Sequence, residues 1–313
     1  MISIPSPSIP TMPTHNLRSF AQNPAIIAGT QTTAILMARI LTSFPIMMRS
    51  QDSLPPFIHP YSLSNVPGSE SKSLESLTTC MSLMQMVSTS AHGGRKLLWK
   101  NVRLECERLQ GEYARLDRWE LLSSMQALLI YMLVRVQEGE TMYNNIDVLL
   151  LSTVWIVSSG LYQQLGNVPC GAASGLGYGP TQDDWIFEES RRRLALVCKC
   201  TRMLFSLEPI RGCVMQDGFL LAPLPARKQL WEARDEYSWM LENRRDVGVP
   251  SVFGIMLDGQ MVKLNEPQAL LSGQGISVQS ERSKESSVNW QEWCSGMDGL
   301  GALVMLAASL PTS

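Results

Sequence analysis

Between Asp183 and Leu204 the residues Ile186, Leu194, Val197, Cys200 or Thr201, and Leu204 recur at multiples of three and four positions. That spacing puts them on one stripe of an α-helix, not on the alternating face of a strand. Arg191, Arg192 and Lys199 fall largely off the stripe, so the helix has a core-facing front and a charged back. Asp183 or Asp184 is expected to cap its start. Glu188 and Glu189 are expected in the opening turn, where carboxylates favour the positive end of the helix dipole. From Pro223 the reading repeats. Leu224-Pro225 holds the chain extended, Pro225 suits a position just before or at a first helical turn, and Leu230, Ala233, Tyr237 and Leu241 return at helical spacing. The region Asp183 to Trp239 therefore reads as two packed amphipathic helices joined by a small loop.

The same period runs through most of the chain. Gln31 to Met48 reads as a helix ending before Pro45. From Ser71, a helix carrying Leu74, Leu77, Met81, Met84 and Val87 is expected to stop at Gly93-Gly94. Leu98, Val102, Cys106, Leu109 and Tyr113 make the next stripe, with Arg95, Lys96, Arg103, Glu105, Glu107 and Arg108 as a mostly solvated face. Asp117 to Val136 is apolar enough to be buried on most sides. Asn145 to Leu165 approaches the length of a membrane span, but Asp147, Ser152, Thr153, Ser158 and Ser159 interrupt it and no basic cluster flanks it. A buried core helix is the better reading. Val168 to Gly179 is a glycine-rich loop without the strand or the third spaced glycine that a dinucleotide-binding turn needs. Residues 251–264 alternate around Asp258-Gly259, the signature of a short β-ribbon. The polar stretch 265–287 reads as a surface loop, and Trp290 to Leu310 as a helix returning to the core. The fold class that follows is all-α, a multi-helix bundle of packed antiparallel helices. Residues 1–30 form a flexible N-terminal segment, and 31–313 a helical domain. A transit peptide is disfavoured because five prolines fall in residues 1–24 and would interrupt the amphipathic helix it needs.

A 45% hydrophobic content over 313 residues supplies a sizeable core and excludes disorder throughout. The 26 basic and 28 acidic residues leave a net charge of −2, without the basic surplus that drives unaided binding to phosphate backbones. Seven cysteines, at 80, 106, 170, 198, 200, 213 and 294, are odd in number and widely spread, which suits a reduced intracellular protein. The one close pair is Cys198 and Cys200, and on a helix their thiols point about 200° apart, a poor start for a metal site.

No catalytic, cofactor-binding or metal-ligating residue is assigned. His15, His59 and His92 have no metal-like or nucleophile partner nearby in sequence, so each reads as structural or surface. Glu188 and Glu189 diverge by about 100° as helix neighbours, which suits the helix start better than an acid/base pair. Arg191 to Arg193 follow two glutamates and can pair locally at i,i+3 or i,i+4, in preference to contacting phosphate. Trp185, Trp231 and Trp239 could line a ligand pocket between helices, and core packing is preferred. The GxSxG, GxxxxGK[ST] and HExxH patterns are absent.

Four segments carry a family resemblance. They are LPPFIHP at Leu54 to Pro60, LLSSMQALLIY at Leu121 to Tyr131, the run from Asp183 to Trp239 with its Trp, acidic pair, arginine run, Leu-Pro step and Leu-Trp-Glu-Ala, and WQEWCSGMDGLGALVMLAASL at Trp290 to Leu310. Together, in this order, they resemble the regulatory region of fungal zinc binuclear cluster transcription factors over roughly residues 34–310. The resemblance implies a nuclear transcriptional regulator of a pathway-specific gene set of the secondary-metabolite type. The family's zinc cluster needs six cysteines in a compact block, and the first cysteine here is Cys80. The implied partner is therefore a protein, as a homo- or heterodimer with a zinc cluster factor, with DNA contacted weakly or indirectly and no membrane involved. The alternative is a non-DNA-binding interaction protein derived from such a factor.

Overall fold

The computed structural model describes residues 21–22, 30–49, 53–63, 74–89, 93–165, 181–206, 218–245, 252–264 and 282–310. In chain order the elements are β1 (Ala21–Gln22), α1 (Gln31–Met47), α2 (Glu75–Thr89), α3 (Gly93–Glu112), α4 (Arg118–Glu138), α5 (Asp147–Leu165), α6 (Gln182–Leu204) and β2 (Phe205–Ser206). They continue with β3 (Phe219–Leu221), α7 (Lys228–Trp231), α8 (Glu236–Arg245), β4 (Val252–Met256), β5 (Met261–Leu264), α9 (Arg282–Ser295) and α10 (Gly299–Ala308). The fold is mainly α-helical with one small antiparallel sheet, ordered β3-β4-β5, and a two-residue pairing of β1 with β2.

The organising element is α4. Its start is fixed by a reciprocal cap: the Asp117 carboxylate accepts the Trp119 and Glu120 N–H groups at 2.7 and 2.8 Å, and the Glu120 side chain accepts the Asp117 N–H at 2.7 Å. Every residue from Leu121 to Arg135 is then buried. A helix apolar on all sides needs neighbours on all sides. On one flank α4 packs against α2 and α5, which in turn hold α3 between them; on the other it packs against α1 and α6, and α10 closes over both. One apolar core runs from Ala34 to Leu310 through both groups.

Among the described residues it is α4, not the 145–165 segment weighed from sequence, that is long and apolar enough to cross a membrane, and 89% of its most apolar stretch is buried inside the fold. Those properties belong equally to a core helix.

Several boundaries differ from the sequence reading. Helix α1 runs through Pro45 to Met47. Pro45 sits in the last turn, where it forfeits one hydrogen bond while Phe44 and Pro45 are both buried, so packing outweighs the loss. Gly93 and Gly94 open α3 and do not merely close α2. Glu105, expected on a solvated face, is buried. It accepts from Ser76 at 2.7 Å and from Arg108 Nη2 at 2.8 Å, beside the Ser124 hydroxyl. The cap of α6 is Thr181, whose hydroxyl accepts the Asp184 N–H at 3.1 Å. This moves Asp183 and Asp184 into the first turn and Glu188 and Glu189 beyond it.

The second helix expected after Pro223 is two pieces. Residue Leu224 donates its N–H to the Phe253 carbonyl and extends the sheet, α7 is a single turn, and α8 restarts where the Asp235 carboxylate accepts the Ser238 N–H and hydroxyl. Leu230, Ala233 and Trp239 are buried together, whereas Tyr237 and Leu241 are exposed. The expected ribbon is present as β4 and β5, turning at Gly259 with φ 80°. Its third strand, β3, approaches so closely that a Cβ at Gly254 would sit 2.8 Å from the Phe219 ring. The loop expected over 265–287 gives way to α9 at Arg282, and the helix expected over 290–310 breaks at Gly296 to Asp298, where Asp298 caps α10. The segments 1–20, 168–179 and 265–281 lie outside the described residues.

Among the described residues Cys80, Cys106, Cys198 and Cys200 are buried, and Cys294 is half-buried. Burial pushes the Cys106 and Cys200 thiols up to about 12, and that of Cys80 higher still. Below the ordinary thiol value of 9.0 these groups are neutral in both folded and unfolded chains, so their contribution to stability is complete. Above it the unfolded chain ionises while the folded one cannot, and stability falls as pH rises from 9.0 towards about 12. Urea midpoints measured from pH 7 to pH 11 should therefore drop progressively above pH 9. Iodoacetamide labelling of the folded chain at pH 8 should spare Cys80, Cys106 and Cys200, and rapid labelling of any of them would refute the buried assignment.

Candidate functional site

A buried polar cluster of the described chain centres on Arg193, which lies on the core side of α6 with no side-chain exposure. Its Nε donates to Glu189 Oε1 at 2.7 Å, one helical turn earlier. Its Nη1 donates to Asp298 Oδ2 and, at 3.2 Å, to the Pro56 carbonyl; Nη2 donates to the Ala226 carbonyl at 3.2 Å. The guanidinium carbon stands 4.0 Å over the Trp231 ring. Four of the five N–H donors of one side chain are thus engaged, and its face is covered by an aromatic.

Each partner is itself held. Glu189 Oε1 also accepts the Ala226 N–H at 2.8 Å, and Oε2 accepts from Arg192 at 2.8 Å. Asp298 uses its other oxygen to cap α10 through the Leu300 N–H at 2.9 Å. His59 meets the Trp231 ring edge-on with centroids 4.6 Å apart. Its Nδ1 accepts the Tyr61 N–H at 3.1 Å, which makes Nε2 the protonated nitrogen, donating to the Trp231 carbonyl at 2.7 Å. Gln126 of α4 donates to the Phe57 carbonyl at 2.8 Å, and the Trp293 indole N–H to the Pro225 carbonyl at 3.3 Å. The 54–63 segment, α6, the strap from Ala222 to Trp231 and the start of α10 are thereby clasped around one arginine.

Two cations, Arg192 and Arg193, face two carboxylates, Glu189 and Asp298, so the cluster is charge-balanced. Buried and mutually bonded groups of this kind fix geometry.

The residues singled out from sequence divide accordingly. His59, Trp231, Glu189 and Arg193 come together in the clasp. Arg191 pairs with Glu188 at 2.6 Å and Arg192 with Glu189, the local pairing expected, while Arg193 adds tertiary bonds that the local reading did not include. Glu189 is a buried tertiary anchor and not a dipole-favouring surface carboxylate. Trp239 is buried against half-buried Trp185 at a centroid distance of 6.2 Å. Among the described residues no group of three His, Cys, Asp or Glu side chains is placed to hold a metal ion. His15, His92, Cys170 and Cys213 lie outside the described residues. Asp298 was missed from sequence, although an Asp ahead of Gly299-Leu300 and an apolar run is a recognisable cap. Compared with known proteins, the chain matches no family model, no curated protein and no solved structure.

Proposed function

We propose that this chain is a non-enzymatic regulatory domain that acts in the nucleus on transcription of a pathway-specific gene set, of the secondary-metabolite type, together with a partner that reads DNA. The observation that carries this reading is the convergence of the four segments resembling fungal zinc cluster regulators. Pro56, Gln126, Arg193, Ala226, Trp231 and Asp298, which knit the clasp and its flank, all come from those segments. Residues far apart in sequence that resemble a family in order, and that also meet in space, support a shared scaffold better than scattered matches would. The near-neutral charge favours a protein partner over direct DNA contact. The same charge supports the second reading, an interaction protein derived from such a factor that has no promoter role of its own.

Transcript profiling after deletion of the gene, together with a mobility shift of duplex DNA by the purified chain, tests the proposal. The expected result is a changed set of co-regulated transcripts and only weak, salt-sensitive DNA binding. Tight sequence-specific binding by the chain alone would refute the partner mechanism. A transcript profile unchanged across growth conditions would remove the regulatory reading and leave the second.

A further inference from the structure

The strap from Ala222 to Trp231 is tied down along its length. Trp293 donates to the Pro225 carbonyl, Glu189 and Arg193 hold the Ala226 N–H and carbonyl, and Lys228 donates its N–H to the Gly296 carbonyl at 2.7 Å. His59 makes the tie at the far end, donating from Nε2 to the Trp231 carbonyl where the single turn of α7 stops and leaves carbonyls without internal partners. Past that point Leu230, Ala233 and Trp239 pack with Trp185 as a small apolar cluster of their own, separate from the main core. Trp231 belongs to neither cluster; its ring is held by the Arg193 guanidinium and by His59. A segment held by polar ties with little core packing is the kind that opens locally before the whole fold does. Among the side chains that make these ties, histidine is the type that ordinarily changes charge between pH 5 and pH 8.

We propose that His59 makes the strap an acid-sensitive latch: protonation of its ring at Nδ1 releases α7 and uncovers Trp231. The closed form has room for one ring proton. Nε2–H faces a carbonyl, which can only accept, and Nδ1 faces the Tyr61 N–H, which can only donate, so a second ring proton would stand against a donor. The ring is 3% exposed, and a cation there would lose nearly all of its hydration. Among the described residues, the charged groups packed around it give little in return. The Arg193 cation stands over the Trp231 ring, and Glu189 and Asp298 are already bound to Arg193. At α7, Lys228 and Glu232 pair with each other at 3.9 Å in solvent, and Arg227 is exposed against Gly296. The ring neighbour on the histidine's own segment is the uncharged Tyr61. A charged ring would bind the Trp231 carbonyl more strongly, but one improved hydrogen bond does not replace the water lost by a buried cation. Once the strap opens, the imidazole is in water and takes up its proton near pH 6.5, about the ordinary histidine value. Above that pH the latch keeps its full strength; below it, each unit of pH favours the open strap by up to about tenfold. The inference stands apart from the regulatory reading, because it rests only on this ring and its partners.

Hydrogen exchange of the full chain, read by mass spectrometry and corrected for the intrinsic pH dependence of amide exchange, measures the opening. The amides of Lys228, Leu230, Trp231 and Glu232 are hydrogen-bonded in the closed strap and serve as reporters. Between about pH 7.5 and about pH 5.5 their protection should fall roughly tenfold, while that of α3 and α4 holds. His59→Gln keeps an N–H donor for the Trp231 carbonyl and takes up no proton in this range, so its strap should be equally protected at both pH values. Should that variant fail to fold, the histidine Cε1–Hε1 NMR signal of the wild-type chain decides: the His59 ring should still be neutral at about pH 6 in chains whose strap is closed. A strap whose protection does not change, a His59→Gln variant that keeps the tenfold loss, a loss shared equally by α3 and α4, or a protonated His59 in a strap that stays protected overturns the proposal.

Discussion

Replacing Arg193 by alanine is expected to lower the unfolding free energy by about 3–5 kcal/mol, the range for removing one member of a buried ion pair. The loss is large because so much is left behind. Glu189 keeps a buried carboxylate and Asp298 a largely enclosed one without their shared cation, the Pro56 and Ala226 carbonyls lose a donor, and the Trp231 ring loses the guanidinium over it. Arg193→Lys should recover little, since an ammonium cannot fork to partners on three segments or stack flat on an indole. Urea unfolding monitored by far-ultraviolet circular dichroism measures the difference. A loss below about 1 kcal/mol for Arg193→Ala would mean that the clasp is ornamental and the apolar core alone orders these segments.

Arg193 also illustrates how much of the site could be read from sequence. It lies seven positions after Ile186 and four before Val197, at the centre of the stripe that identifies α6 as a core-facing helix. With Ser190, also buried, it fills the polar gap between Ile186 and Leu194. A polar residue in an apolar stripe looks like a break in the pattern. It is instead a place where the core must supply polar partners, and those partners come from Pro56, Ala226 and Asp298, more than 30 positions away in each case. Local pairing of Arg193 with Glu189 was legible; the tertiary bonds were not.

The fold was legible wherever one face of a helix is apolar, as in α3 and α6, because a period of roughly 3.6 residues has no competing reading over 20 positions. Boundaries were less so. The Asp235 cap divides α7 from α8, and the Asp298 cap divides α9 from α10, yet in both cases the apolar spacing runs on across the break and suggests one helix. Strand β3 has three consecutive buried residues, without the alternation that marks a half-exposed strand. Its sheet position is dictated by β4, over 30 residues later, and by the absence of a side chain at Gly254.

A second large effect is expected where α4 turns into α5. Arg135 reaches Asp147 with two parallel hydrogen bonds of 2.8 and 2.9 Å, and its remaining arm donates to the Gly139 carbonyl at 2.7 Å. Both side chains are almost fully buried. Gly139, with φ 67°, ends α4, and Asn144 donates to the same carbonyl at 2.7 Å, so the whole turn is organised around this pair. Asp147→Ala or Arg135→Ala should each destabilise by about 3–5 kcal/mol, because either leaves an uncompensated charge in the interior. Replacing both, as Arg135→Met with Asp147→Leu, should restore most of that loss, since the desolvation penalty of both ions disappears together. The double-mutant cycle in urea separates the alternatives: losses that simply add would show that the two side chains act independently.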